Sequence, residues 1–201
     1  MSRWWRATDA PTNTVDLTAT IGSVTLPNPI MTAAGTAGHG DELAAYLDVT
    51  RLGALVVKSL APFEWAGNPA PRVHAVSAGM LNSIGLQGPG VERWLIEELP
   101  PLLARGARVV ASIWGRTVDD FHQAAKALAD APGLVAVEVN LSCPNLEGGR
   151  HLFAHDPIAT REAMEATAVC GRPRWAKLSP NTTELVSIAE IAHAAGAEDS
   201  H

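Results

Sequence analysis

From residue 15 onward the chain alternates between short apolar runs and longer segments whose apolar residues recur every three or four positions. Residues 15–30, VDLTATIGSVTLPNPI, carry β-branched side chains on both sides of Gly22-Ser23 and predict two short strands with a turn there. Apolar runs at 30–33, 54–58, 109–113, 135–140 and 174–178 predict further strands. Helical patterns occupy 41–47, 91–106, 117–130, 157–170 and 182–195. In the second of these Leu95, Ile96, Leu99, Leu102 and Leu103 share a face; in the last, Leu185, Ile188, Ile191 and Ala195 do.

The runs ALVV and LVAVEV are almost uninterrupted, as in parallel strands covered on both faces. A β-α alternation of this kind builds a parallel sheet, either doubly wound or closed into a barrel. Three runs end in polar residues: Lys58-Ser59, Asn140, and Lys177-Leu178-Ser179. Chemistry at the C-terminal ends of several strands is the barrel's arrangement. Gly35-Thr36-Ala37-Gly38-His39-Gly40 lacks the GxGxxG spacing, and no GKS or GKT occurs, so neither common phosphate loop is present. The expected fold class is therefore α/β, a (β/α)8 TIM barrel with only about the first five β/α units present, in a single domain over residues 1–201. The last helical pattern runs into AAGAEDSH with no strand expected after it. A five-stranded piece would leave its first and fifth strands as open edges.

Composition narrows the function classes. With 201 residues, 47% hydrophobic and 18% charged, the chain is globular and long enough to bury a core. Its 15 Lys+Arg against 21 Asp+Glu give a net charge of −6 with no basic block, which argues against nucleic acid as a partner. No apolar run approaches the ~20 residues of a membrane helix, and MSRWWRATDAPTN has no signal-peptide core. The expectation is a cytoplasmic protein without membrane contact. Cys143 and Cys170 form no CxxC pair and suit a reducing compartment. His151, His155, His193 and His201 make no metal signature and are expected to face solvent, so no metal site is expected. Trp4 and Trp5 are expected to cover an apolar edge.

Three clusters could carry chemistry. In Asn140-Leu141-Ser142-Cys143-Pro144-Asn145, with Gly148-Gly149 beyond, a thiol follows a strand end among amides and a hydroxyl. Such a cysteine could be a nucleophile or a general base, or simply a buried residue between capping asparagines. Leu81 to Gly90, LNSIGLQGPG, offers a glycine-rich backbone that a flat ligand could approach, and amides that suit a heterocycle with imide edges. It could equally be an ordinary turn before a helix. Lys58 and Lys177 emerge from apolar strands, where a cation is costly unless it meets an anion; the alternative is a snorkelling surface lysine.

VEVNLSCPN, MLNSIGLQGPG, VVKSL followed by GNPAPR, and WAKLSPN resemble, in order and spacing, the dihydroorotate dehydrogenase family, from about Leu26 to Ala197. The resemblance implies an FMN-containing (β/α)8 barrel that oxidises dihydroorotate to orotate in pyrimidine (UMP) biosynthesis. On these motifs Cys143 would be the base taking the C5 proton while hydride passes from C6 to flavin N5. Substrate would be bound by Lys58, Asn82, Ser83, Ile84, Gly85, Leu86, Asn140 and Asn145. FMN would be bound by Ala34, Gly35, Lys58, Ser59, Ser112, Asn140 and Lys177, the last beside flavin N1. Cysteine rather than serine at 143 is similar to the soluble class 1. Gln87-Gly88-Pro89-Gly90 and Gly148-Gly149 look like its NAD-linked 1B subclass, whose electron-transfer subunit carries FAD and a 2Fe-2S cluster; the fumarate-using subclass is the runner-up. The family also implies a homo-oligomer. Ala34 stands where the family usually has serine, and Ser112 where it usually has asparagine. EDSH replaces the family's continuation into the later strands and phosphate loops, so this chain could be an inactive fragment. A dihydropyrimidine dehydrogenase-like flavoprotein is the nearest alternative, with histidine expected where Asn145 stands. A non-catalytic remnant or a truncated gene model is the other.

Overall fold

A computed structural model of the chain describes residues 15–142 and 152–201. Its strands are β1 (Ala19–Ile21), β2 (Val24–Leu26), β3 (Leu55–Val56), β4 (Val73–Val76), β5 (Gly79–Asn82), β6 (Val109–Ile113), β7 (Leu134–Asn140), β8 (Arg174–Lys177) and β9 (Asp199–Ser200). The α-helices are α1 (Val91–Glu97), α2 (Leu99–Ala104), α3 (Val118–Ala127), α4 (Pro157–Ala166) and α5 (Leu185–Ala194). Strands β3-β6-β7-β8-β9 form one parallel sheet in that order, while β1-β2 and β4-β5 are separate antiparallel hairpins.

The β1-β2 turn falls at Gly22-Ser23 as expected, with Gly22 at φ 55°, a conformation that favours glycine. Ser23 donates its backbone N–H (2.7 Å) and its hydroxyl (2.5 Å) to Glu198 Oε2, which ties this hairpin to the segment after α5.

Alternation along the parallel strands sorts two faces. Leu55, Val57, Val109, Ala111, Ile113, Val137, Val139 and Ala176 pack with the helices in one core. Val56, Val110, Ala136 and Trp175 point the other way, onto Val24 and Leu26 of the β1-β2 hairpin. The same two-residue period carries Lys58, Ser112, Glu138, Asn140 and Lys177 onto that second face, one step nearer the C-terminal strand ends. The inner face is therefore apolar below and polar above.

At the opposite strand ends, arginines satisfy loop carbonyls. Arg108 donates to Gly53 O (2.7 Å), Thr50 O (2.7 Å) and Leu52 O. Arg172 donates to Leu128 O (3.2 Å), Ala129 O (3.2 Å), Leu134 O (3.3 Å) and Ala131 O. The guanidinium's fan of donors suits a cluster of carbonyls left over at helix ends.

Several expected boundaries are corrected. The run at 30–33 makes only one bridge, Met31 to Ala54, because the Thr32 hydroxyl replaces the ladder: it donates to Val56 O (3.1 Å) and accepts from Val56 N (2.8 Å). The helix expected at 41–47 is a 3-10 turn, Glu42–Ala45. The one at 91–106 is split into α1 and α2, since Pro100 and Pro101 supply no N–H to continue the ladder. The 157–170 helix tightens into a 3-10 turn at Thr167–Cys170, ending on Gly171 in the left-handed conformation. The helices expected at 117–130 and 182–195 are shorter, α3 and α5. Strand β9, not expected, follows α5 and pairs with β8. The β4-β5 hairpin was also not expected, because its residues are exposed and leave no buried stripe in the pattern. Trp4, Trp5 and His151 lie outside the described residues.

Helix α3 opens on a capping box: Asp120 N donates to Thr117 Oγ1 (3.1 Å) and Thr117 N to Asp120 Oδ2 (3.2 Å). Thr117→Ala is expected to cost about 1 kcal/mol in urea unfolding, with Thr117→Ser nearly neutral. Equal losses from both would show that the cap hydroxyl is not what matters.

Candidate active site

Above the polar part of the inner face lies a cleft of about 520 Å³. Its walls include Ala34, Gly35, Lys58, Asn82, Ser83, Ile84, Gly85, Leu86 and Asn140, nine residues expected to bind substrate or cofactor. Ser59 and Ser112 are buried beneath it and joined to it through Asn140. Lys177 lines an adjoining cleft of about 240 Å³, with Ala34 common to both. Cys143 and Asn145 lie outside the described residues; Ser142, which precedes Cys143, is on the wall of the larger cleft.

The loop from 82 to 88 is held in place from the GNPAPR segment. Asn68 N donates to Ile84 O (3.0 Å), and the Asn68 side-chain amide donates to Ser83 O (3.1 Å) and Ser83 Oγ (2.8 Å). Trp65 Nε1 donates to Gly85 O (2.8 Å), and Trp65 and Gly88 exchange backbone hydrogen bonds of 2.9 Å. Trp65 is itself set in a triad of edge-on aromatic rings with Phe63 and Trp114. Arg116 lies 4.4 Å from the Phe63 ring centroid. The amides of this loop are thus placed by tertiary contacts, not by the turn alone. Leu86 adopts φ 58°, strained for a non-glycine residue and sustained by this frame.

On the floor a continuous polar chain runs between strands. Asn140 Nδ2 donates to Ser59 Oγ (3.0 Å), Ser59 Oγ and Ser112 Oγ are 2.8 Å apart, and Ser112 Oγ donates to Glu138 Oε1 (2.5 Å). Asn140 Oδ1 accepts from Ser142 Oγ (2.7 Å) and Ser142 N (3.2 Å). Lys177 Nζ is 3.7 Å from Glu138 Oε1, and His201 Nε2 is 3.1 Å from Glu138 Oε2.

Electrostatics follow from this crowding. Burial lowers the pKa of Lys58, and the positive charges of Lys177 and Arg72 lower it further. The two lysines therefore feel one another across the cleft, and an anion there would relieve both. Burial alone would raise Glu138, but the His201 hydrogen bond, the Lys177 ammonium and the Ser112 hydroxyl together hold it below the usual carboxylate range. His201 is raised by its bond to Glu138, against its own desolvation. His201 is exposed, as expected, and its ring in addition bridges Glu138 and Asp199.

Sequence reasoning passed over Glu138, Asn68 and Thr36. For Glu138 the signal was a single carboxylate inside the apolar run LVAVEV, since a charge in a buried strand calls for partners. Asn68 stood in GNPAPR without a role, and for Thr36 nothing in the pattern pointed to the cleft. Among the described residues no group of histidine, cysteine, aspartate and glutamate side chains could hold a metal, and no helix is long and apolar enough to cross a membrane.

Comparison with known proteins shows the family. The family profile described as dihydroorotate dehydrogenase matches residues 16–199. The protein of Alkaliphilus metalliredigens named dihydroorotate dehydrogenase B (NAD(+)), catalytic subunit, is 42% identical over 185 residues, covering 92% of this chain and 61% of the relative. The proteins of the same name from Desulforudis audaxviator and Listeria welshimeri are 45% identical over 182 residues and 40% identical over 183 residues. These alignments cover 89% and 90% of this chain, and 58% and 60% of those relatives. The chain thus spans about three-fifths of the length of the curated relatives it matches. With its parallel α/β sheet and with the motif residues gathered on one cleft, the chain belongs to the dihydroorotate dehydrogenase family.

Proposed function

We propose that this chain carries the dihydroorotate-binding and proton-abstracting part of an FMN-dependent dihydroorotate dehydrogenase of the NAD-linked type. The parallel sheet would be the first part of a (β/α)8 barrel, with residues 1–201 in a single domain. The observation that carries the reading is the convergence on one cleft of Ala34-Gly35, Lys58, the 82–86 loop and Asn140, four segments far apart in sequence.

The residues present fit a flavin. Gly35 has φ 89°, and a side chain added there would meet only Lys58 Nζ, at 3.9 Å, so this edge of the cleft is open to a flat ring. The amide of Asn140 and the hydroxyls beneath it offer hydrogen bonds to an imide edge, and the cation–cation repulsion between Lys58 and Lys177 favours a group that gains negative charge. Ala34, Gly35, Lys58, Ser59, Ser112, Asn140 and Lys177 would hold FMN, which when bound supplies the two-electron acceptor.

The chain's own residues would do the rest. Lys58 meets the anionic substrate, while Asn82, Ser83, Ile84, Gly85, Leu86, Asn140 and Asn145 orient its ring. Cys143 takes the C5 proton, and the rigid 82–88 loop holds that carbon in place. Electrons leaving the flavin would pass to a partner subunit with FAD and a 2Fe-2S cluster, in the cytoplasm.

The experiment is anaerobic addition of dihydroorotate to FMN-loaded protein. Stoichiometric bleaching of the flavin with formation of orotate is the expected result. Bleaching by dihydrouracil but not by dihydroorotate would overturn the reading in favour of a dihydropyrimidine dehydrogenase-like activity.

A further inference from the structure

Glu138 is the buried carboxylate of the parallel sheet, with its side chain 3% exposed; it lines the adjoining cleft beside Lys177 and not the larger one. Three groups end on it: Ser112 of β6, Lys177 of β8 and His201, the residue after β9. An ionised carboxylate can only accept, so Ser112 must spend its single proton on Glu138. Ser59, 2.8 Å from Ser112 Oγ, must then donate to it, and the Ser59 oxygen is left to accept from Asn140 Nδ2. The direction of every bond in the relay follows from the charge at its end. Asn140 Oδ1 already accepts twice from Ser142, so what Asn140 has left for the cleft is its second Nδ2 hydrogen.

We propose that Glu138 is a positioning residue that anchors the Lys177 ammonium and orients the Ser112–Ser59–Asn140 relay, so that Asn140 turns its remaining N–H to the cleft and the floor selects a ligand edge bearing an acceptor. The proposal deepens the FMN reading and in part rests on it. Glu138 also offsets the charge of Lys177. Glu138→Gln keeps the shape, removes the anion, and allows Ser112 to accept instead of donate, which releases the whole relay.

The test has two arms. In the ligand-free full chain, ¹⁵N NMR follows the Asn140 side-chain amide and the Lys177 ammonium. Glu138→Gln is expected to shift both signals and to speed their exchange with solvent. Ser112→Ala, which cuts the relay midway, is expected to shift the Asn140 amide and leave Lys177 in place. An unchanged Asn140 amide in both variants would overturn the relay, and an unchanged Lys177 signal in Glu138→Gln would overturn the anchoring. In the second arm, FMN is titrated by fluorescence quenching and its potential is measured. Glu138→Gln is expected to weaken FMN binding about tenfold, the worth of one charge-assisted contact. It is also expected to make the bound flavin easier to reduce, whereas Lys177→Ala makes it harder. Shifts of the same sign in both variants would overturn the charge-offset role, since general loosening of the fold cannot separate them. Failure of the unsubstituted chain to bind FMN would instead overturn the functional reading, with the amide signals still deciding the role of Glu138.

Discussion

Cys143→Ser in FMN-loaded protein is expected to slow flavin bleaching by dihydroorotate by about 10²–10⁴-fold near neutral pH, the usual contribution of a positioned base. A thiol with a pKa near ~8.5 is partly ionised at pH 7, whereas a serine hydroxyl is not ionised in this range at all. Ser142, the preceding residue, lines a cleft in which Lys58 is already short of counter-charge. Positive potential of that kind favours the thiolate over the thiol. The unsubstituted rate should therefore climb with pH as the thiol ionises, while the serine variant stays low and shows no such step. Substrate binding should change little, because hydroxyl and thiol occupy similar space. Bleaching at an unchanged rate from about pH 6 to 9 would remove Cys143 from the mechanism.

The parts of this molecule that were legible in the sequence share a physical cause. Strands β6 and β7 were readable because both of their faces are buried, which leaves near-continuous apolar runs with a polar residue at or near the end. The chemical residues were readable by motif, and the two-residue period of the strands then brings Ser112, Glu138, Asn140 and Lys177 to one face. What escaped notice is held by contacts that leave no periodic trace. The β4-β5 hairpin is exposed on every residue, so alternation gives no contrast. The Met31 bridge looks like a strand in composition, but the Thr32 hydroxyl takes over two of its backbone bonds. Asn68 and Trp65 act on a loop 15 to 20 residues away, a distance no local pattern spans. The lysines illustrate both sides. Their position at strand ends was plain, but that Lys177 has a buried anionic partner while Lys58 has cationic neighbours emerges only when β7 and β8 are set side by side.

Trp94→Ala is expected to cost about 3–5 kcal/mol, the range for removing a large buried aromatic. Trp94 is the fourth residue of α1 and has no solvent exposure, packed in the core between the helices and the sheet. Its indole N–H donates to His39 O (2.7 Å), so the side chain also pins the Gly35–Gly40 segment to the helix. Two losses combine in the alanine variant: a cavity that the broken helix pair α1-α2 cannot easily fill, and a carbonyl left without its donor. Trp94→Phe separates them. It keeps most of the apolar volume and removes only the hydrogen bond, for an expected cost of about 1–3 kcal/mol. Since a domain's whole stability is about 5–15 kcal/mol, the alanine variant should unfold at a much lower urea concentration, as followed by far-ultraviolet circular dichroism. The loss should also reach the cleft: Gly88 abuts the His39 ring, and Gly88 is the backbone partner that holds Trp65 beneath the 82–86 loop. Alanine and phenylalanine variants within about 1 kcal/mol of the unsubstituted chain would show that this helix is not secured through Trp94.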